Sequence, residues 1–386
     1  MIHPFGQLEN RSQSGFTLVE LLVTLSIIGI LATAMLGVAS VAGDTARKAK
    51  TRHTISRLHT LLMEQYDSYK TRRVPLQDVI RKRIDKEVDS PQNRGKALAN
   101  ARLFALRELM LMELPDRWSD IALSPVTDEL LNDIRQGSAT PVRDDPNTNP
   151  KAPRYLEDRP GLSEVYYRRL KQITNRTTDS KRVLQNQGAE CLYMVITLAT
   201  GDGEARSFFG ESSIGDVDED GAPEFLDGWG NPISFLRWAP GVESDAQLNA
   251  NALGNPNNDA WKVAAAGDHD PFDMYRREST AFRTMPLIFS SGPDEVYGIF
   301  TSGGAHDSEI STTASPLVWC NNSSFFVQNS APFIGPILSP FQPTGNGSAS
   351  DYYLGTSIKL VEETIQRDET ASYATDNIHN HLIAGQ

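Results

Sequence analysis

The chain has 386 residues, 39% of them hydrophobic, and 49 Asp/Glu against 37 Lys/Arg, a net charge of −12. That length allows one large or two ordinary domains, and the acidic excess argues against a nucleic-acid-binding protein, whose footprint is basic. The charge is uneven: residues 44–108 hold 16 Lys/Arg and 8 Asp/Glu, whereas residues 201–300 hold 6 and 18. With few aromatics interleaved, the basic stretch reads as a solvated helical face, and no nucleic-acid partner is expected.

The N-terminus carries the sharpest signal. After Gly15-Phe16-Thr17-Leu18-Val19-Glu20, an uncharged run extends from Leu21 to Gly43, 23 residues. As a helix it spans roughly 35 Å, enough to cross a hydrocarbon core of about 30 Å. Glu20 stands at its head, where a lone carboxylate is costly in lipid unless it finds a partner. An ordinary signal anchor, with Glu20 reaching the interface, is one reading of these residues. The stretch from Gly15 to Ala32 resembles the N-terminus of type IV prepilins and type II secretion pseudopilins, with leader, glycine, aromatic and glutamate in that family's order. The resemblance implies a leader, Met1 to Gly15, that a prepilin peptidase removes after Gly15. It also implies a mature, N-methylated terminus at Phe16. Glu20 would then meet the terminal amine of a neighbouring subunit during filament assembly.

No proline lies between Pro4 and Pro75, so one helix is expected from Phe16 to about Arg73, with its membrane part at about 16–43. Beyond the membrane, Ile55, Leu58, Leu62, Tyr66 and Tyr69 recur at helical spacing and predict one buried stripe. Residues 74–200 read as mainly helical, in segments Ala97–Glu113, Thr127–Gln136 and Leu162–Thr174, with a Pro/Asn/Asp-rich loop from Ser138 to Pro153. Glu190 to Leu198 reads as core.

Residues 201–360 read as strand-rich, with strands at Ile233–Trp238, Pro286–Ser290 and Val296–Phe300. Loops are expected at 241–259, 301–315 and 339–350, and a polar, exposed tail at 361–386 that includes His379 and His381. The fold class expected is α+β: a pilin-like lollipop with a long N-terminal transmembrane helix, a helical insertion and a C-terminal antiparallel sheet.

Asp216-Val-Asp-Glu-Asp-Gly-Ala-Pro-Glu-Phe-Leu-Asp227 is the second informative stretch. Asp216, Asp218, Asp220, Glu224 and Asp227 stand where an EF-hand loop places oxygen ligands, with Gly221 at the sharp turn, and they are the expected Ca²⁺ ligands. The twelfth position is Asp rather than Glu, and Gly210 and Gly215 disfavour an entering helix. A solvated acidic turn is the alternative. The two cysteines, Cys191 and Cys320, would pair if the domain is exported to an oxidising compartment, or remain free and buried.

Asp227-Gly-Trp-Gly-Asn-Pro-Ile233 is similar to the turn that leads into the sheet of major pseudopilins. Phe289-Ser-Ser-Gly-Pro-Asp294 is similar to their Ser-x-Gly-Pro-Asp turn. No histidine lies in a zinc or nucleophile motif and no Walker loop occurs, so no enzymatic activity is expected. The resemblance implies a structural subunit of a type II secretion pseudopilus or related type IV filament. Its partners would be a prepilin peptidase, other pilin-like subunits, the assembly machinery and the inner membrane, with the C-terminal domain periplasmic or extracellular. The alternative is a minor or tip subunit, or a membrane-anchored periplasmic binding protein that recognises cargo or an adhesive target.

Overall fold

The computed structural model describes residues 17–88, 90–122, 126, 128–137, 155–198, 204–242, 244, 247–248, 259–299, 301, 355–361, 364–367 and 376–383. The proposed leader with Gly15 and Phe16, the 138–153 and 339–350 loops and Cys320 lie outside these residues. The chain divides into two compact units, Met1–Arg47 and Lys48–Gln386.

Helix α1 (Leu18–Ser68) starts at a capping box. Thr17 donates its backbone N–H and its hydroxyl to Glu20 Oε2, both at 2.9 Å, and the Glu20 N–H returns to Thr17 Oγ1 at 3.2 Å. Two donors at the helix start are thereby satisfied reciprocally. In the first unit the large apolar side chains of this helix are exposed, Leu18, Ile30, Met35, Leu36 and Val41 among them. Its hydroxyls turn back onto the helix: Ser26 donates to the Leu22 carbonyl at 2.8 Å, and Thr33 to that of Ile30 at 2.9 Å. An apolar, internally satisfied surface of this length suits lipid, where each unpartnered polar group is expensive. The helix is long and apolar enough to cross a membrane.

In the second unit, the rest of α1 carries the stripe expected from its spacing. Ile55, Leu58, Leu62 and Tyr66 are buried, as is Tyr69 just past its end. The helix stops at Ser68, five residues before the expected Arg73. There the chain turns, and Tyr69 and Arg72 both bind Glu113, the tyrosine at 2.7 Å.

Helices α2 (Asp78–Glu87), α3 (Pro91–Glu113), α4 (Trp118–Ala122), α5 (Asp128–Gln136), α6 (Gly161–Ile173), α7 (Ser180–Gln185) and α8 (Gln187–Leu198) follow. Helix α8 is apolar nearly all round and correspondingly buried, packing on the strands at Glu224–Phe225 and Ser234–Leu236. Cys191 lies buried within it as a free thiol.

After a short α9 (Glu204–Ser207), strand β1 (Ile214–Gly215) pairs with β2 (Glu224–Phe225), Ile214 opposite Phe225. Strand β3 (Ser234–Leu236) pairs antiparallel with β4 (Leu287–Ser290), and α10 (Asp259–Gly267) lies between them in sequence. Hairpin β5 (Ile358–Val361) and β6 (Thr364–Arg367) stands as a separate pair, while β7 (Ile378–His379) completes a three-stranded β3-β4-β7 sheet and leads into α11 (Asn380–Ile383). The architecture is α+β: a long apolar N-terminal helix, further helices and small antiparallel sheets.

Two expectations are corrected here. Among the described residues of the expected strand Val296–Phe300, those at 296–299 form no strand; Ile299 makes a single bridge to Ser357. Within the expected tail, the described residues at 376–381 are not exposed but largely buried. Asn380 accepts the Ile288 N–H at 2.9 Å and donates to the Pro286 carbonyl at 2.8 Å, and its amide contacts His59 Nδ1 at 2.9 Å. His381 is buried, with Nδ1 2.9 Å from Ser244 Oγ. Burial holds His379 and His381 down at about 4. A depressed imidazole favours the fold fully above its unfolded value of 6.5, and that contribution is lost as pH falls from 6.5 towards 4. The loss should approach roughly 2–3 kcal/mol per buried imidazole. Melting temperature should therefore drop between pH 7 and pH 4.5, and the drop should be smaller in His381→Gln.

His269, in the segment Gly267-Asp-His-Asp270, is also engaged within the fold. His269 Nε2 lies 3.2 Å from Asp273 Oδ2, and Asp270 is buried against Arg107 at 3.0 Å.

Candidate functional site

The acidic stretch forms the β1–β2 connection. Backbone geometry there is unusual: Glu219 has φ 58° and Gly221 φ 103°. A Cβ at Gly221 would meet only the end of the flexible, exposed Arg176 side chain, which can move aside, so it is the positive φ that favours glycine here. The resulting turn folds its carboxylates inward. Asp216 Oδ2 accepts the Gly221 N–H at 3.1 Å, and Asp220 Oδ1 accepts that of Ala222 at 2.7 Å. Glu224 Oε2 accepts the Val217 N–H at 3.1 Å. Asp218 accepts the Asp220 N–H at 3.3 Å and the Asn186 amide at 3.2 Å.

A fifth carboxylate joins them from a distant part of the chain. Glu190, fully buried on α8, accepts the indole N–H of Trp118 through Oε2. Two triads result, Glu190 with Asp218 and Asp220, and Asp216 with Asp218 and Glu224. Within each triad the potential ligand atoms lie within 4.8 Å of one another. Asp218 belongs to both.

Four of the five residues hold a buried oxygen without a hydrogen-bond partner: Glu190 Oε1, Asp216 Oδ1, Asp220 Oδ2 and Glu224 Oε1. In each case the other oxygen is bound to a named protein donor. The electrostatics reflect the crowding. Burial, and then the neighbouring carboxylates, push Glu190 and Asp218 upward. Burial foremost, with its neighbours' charges, carries Asp220 up to about 7 and Glu224 to about 9. Two arginines stand beside the loop: Arg176, 3.6 Å from Asp216 and largely exposed, and Arg182, partly exposed, which lies 3.9 Å from Glu219 and donates to the Asp218 carbonyl at 2.8 Å.

Asp227, expected as the last ligand, is engaged elsewhere. Its Oδ1 accepts the backbone N–H groups of Trp229, Gly230 and Asn231 at 2.7, 2.8 and 2.9 Å, and its Oδ2 accepts the Ser290 hydroxyl at 2.7 Å. Ser290 Oγ in turn accepts the Gly292 N–H at 3.1 Å, and the Asn231 amide donates to the Gly292 carbonyl at 3.1 Å. The Asp-Gly-Trp-Gly-Asn-Pro and Ser-Ser-Gly-Pro-Asp turns, widely separated in sequence, thus interlock. Gly292 has φ 76°, and a Cβ there would lie 2.8 Å from the Asp376 carbonyl oxygen, so the last described segment closes over the same joint.

Glu190 was not legible as a member of the acidic group, although one signal existed: a single charge inside the apolar run Ala189 to Leu198. At the other end of the chain, Glu20 lies with Thr17 at the head of the apolar helix, as described above.

Residues 10–36 match the family model described as the prokaryotic N-terminal methylation motif. The match supports a type IV prepilin-like protein: a membrane-anchored, single-pass structural subunit, processed by a prepilin peptidase and assembled with other pilin subunits. No curated protein and no solved structure matches the chain.

Proposed function

We propose that this type IV prepilin-like chain is a subunit of a type II secretion pseudopilus or a closely related filament, with its C-terminal unit on the far side of the inner membrane. The observation that carries the reading is Glu20, a lone carboxylate at the head of an exposed apolar helix, with Thr17 as its partner within the chain. A carboxylate in lipid is less costly beside a cation, and the mature Phe16 amine of a neighbouring subunit supplies one. The assembly contact then runs head to tail, a heterologous interface that propagates into a filament.

Two further observations support the finer assignment. The two pseudopilin-like turns meet in space through Asp227, Ser290, Asn231 and Gly292. The basic flank after the membrane segment is partly consumed by folding. Lys50 donates to the Ser212 carbonyl at 3.2 Å and Arg57 to that of Phe208 at 2.5 Å. These cations serve the head's packing, so they weigh little against an N-in orientation by the positive-inside rule. A minor or tip role is favoured by a cavity of about 270 Å³ whose wall includes Arg73, Arg81 and Arg102, a surface suited to an acidic partner.

Glu20→Val tests the assembly reading. The variant should insert in the membrane and keep a normal head, while its recovery in sheared filaments falls by about tenfold or more, the cost of roughly 1.4 kcal/mol or more per contact. Assembly at the wild-type level would show that the Glu20–amine pair is not used.

A further inference from the structure

We propose that Glu190, Asp216, Asp218, Asp220 and Glu224 form a Ca²⁺ site that ties helix α8 to the β1–β2 loop. The loop alone, read as a linear motif, lacks Glu190 and includes Asp227. The folded chain assembles a different ligand set, centred on Asp218, from residues far apart in sequence.

Three features point to a cation rather than to a solvated acidic turn. Glu190 is fully buried with Oε1 unpartnered, and Asp220 and Glu224, both also fully buried, leave Oδ2 and Oε1 unpartnered. Buried polar groups are normally satisfied, and a buried charge without a counter-charge is strongly unfavourable. The second oxygen of each carboxylate is oriented by a protein donor, the indole of Trp118 for Glu190 and backbone N–H groups for Asp216, Asp220 and Glu224. Outer hydrogen bonds of this kind are what aim ligand oxygens at a metal. Finally, the donors are all oxygen, with neither histidine nor thiol in either triad.

That chemistry selects the ion. Hard carboxylate oxygens suit Ca²⁺ or Mg²⁺ over zinc or copper. Ca²⁺ accepts six to eight oxygens in irregular arrangement, whereas Mg²⁺ demands a tight octahedron and gives up its water reluctantly. Five carboxylates from a helix, a turn and a strand, three of them fully buried, match the first ion. Bound there, Ca²⁺ cross-links α8 to the segment that leads through β2 into the Asp227 turn and on to β3.

The test uses the full-length chain in detergent micelles, stripped with chelator and then titrated with Ca²⁺ or Mg²⁺ alone. Wild type should bind Ca²⁺ by equilibrium dialysis and melt higher by roughly 5 °C or more once Ca²⁺ exceeds Kd a hundredfold, with a much smaller shift in Mg²⁺. Glu190→Gln keeps an acceptor for Trp118 and removes the charge. It should bind Ca²⁺ at least about tenfold more weakly, and in chelator it should melt no lower than wild type, because a repelling buried charge is gone. A merely structural glutamate would show the reverse, a loss in chelator with the Ca²⁺ shift retained. If Glu190→Gln does not fold, Asp216→Asn at the open edge gives the same readout. Equal melting in Ca²⁺, Mg²⁺ and chelator, or undiminished Ca²⁺ binding by these variants, overturns the site.

Discussion

Replacing Asp227 with alanine is expected to destabilise the head by roughly 3–5 kcal/mol, one of the largest single-residue losses predicted for this chain. One buried carboxylate accepts three successive backbone N–H groups and a serine hydroxyl. In Asp227→Ala all four donors lose their acceptor, and the Trp229–Asn231 turn no longer holds its shape. Because Ser290 and Gly292 belong to the same network, the β3–β4 pairing is disturbed with it. Asp227→Asn retains an oxygen for the backbone donors and should lose only about 1 kcal/mol. Urea melts of the two variants check the ranking. Equal, small losses would mean that the turn is held by its glycines and Pro232 alone.

Arg237 should rank beside it. The side chain is fully buried at the end of β3, and its Nη1 donates to the Leu114 carbonyl at 2.6 Å and to Asp120 Oδ2 at 3.0 Å. Its guanidinium also lies over the Trp238 ring, 4.3 Å from the centroid, and its backbone N–H binds Asp116 at 3.0 Å. Asp116 and Asp120 are both buried, and Arg117 is the remaining cation beside them. Arg237→Leu therefore leaves two buried carboxylates sharing one arginine, a loss of roughly 3–5 kcal/mol. Adding Asp120→Asn should recover part of it by removing the excess charge. If the double variant is as unstable as the sum of the singles, the arginine acts through packing against Trp238 and not through charge.

These two residues show where a linear reading stops. Ile233 to Trp238 was legible as a strand from its apolar residues, but Arg237 within it gave no sign that it crosses to the α3–α4 junction. Asp227 fell on an EF-hand spacing, yet three glycine-rich turn residues directly after it offered nearer donors than any ion. Local geometry captured it first.

What periodicity and composition report was recovered: the apolar N-terminal helix, the stripe from Ile55 to Tyr69, helix α3 and strands β3 and β4. What depends on distant partners was not. Glu190 meets the acidic loop only after α8 packs on β2. His379 and His381 sit in a polar segment that becomes buried because β7 pairs with β4, a register no local pattern encodes. Val296 to Phe300 has the apolar residues of a strand, but its described residues, 296–299, find only a one-residue bridge at Ile299.

Entry of this pilin-like subunit into a filament through its N-terminal helix can be read from the mass of the chain's N-terminal peptide in purified filaments. The expected chain begins at N-methylated Phe16 and is recovered with the filament fraction. A chain that still begins at Met1, in cells with an active prepilin peptidase, and that stays wholly in the membrane fraction would contradict it.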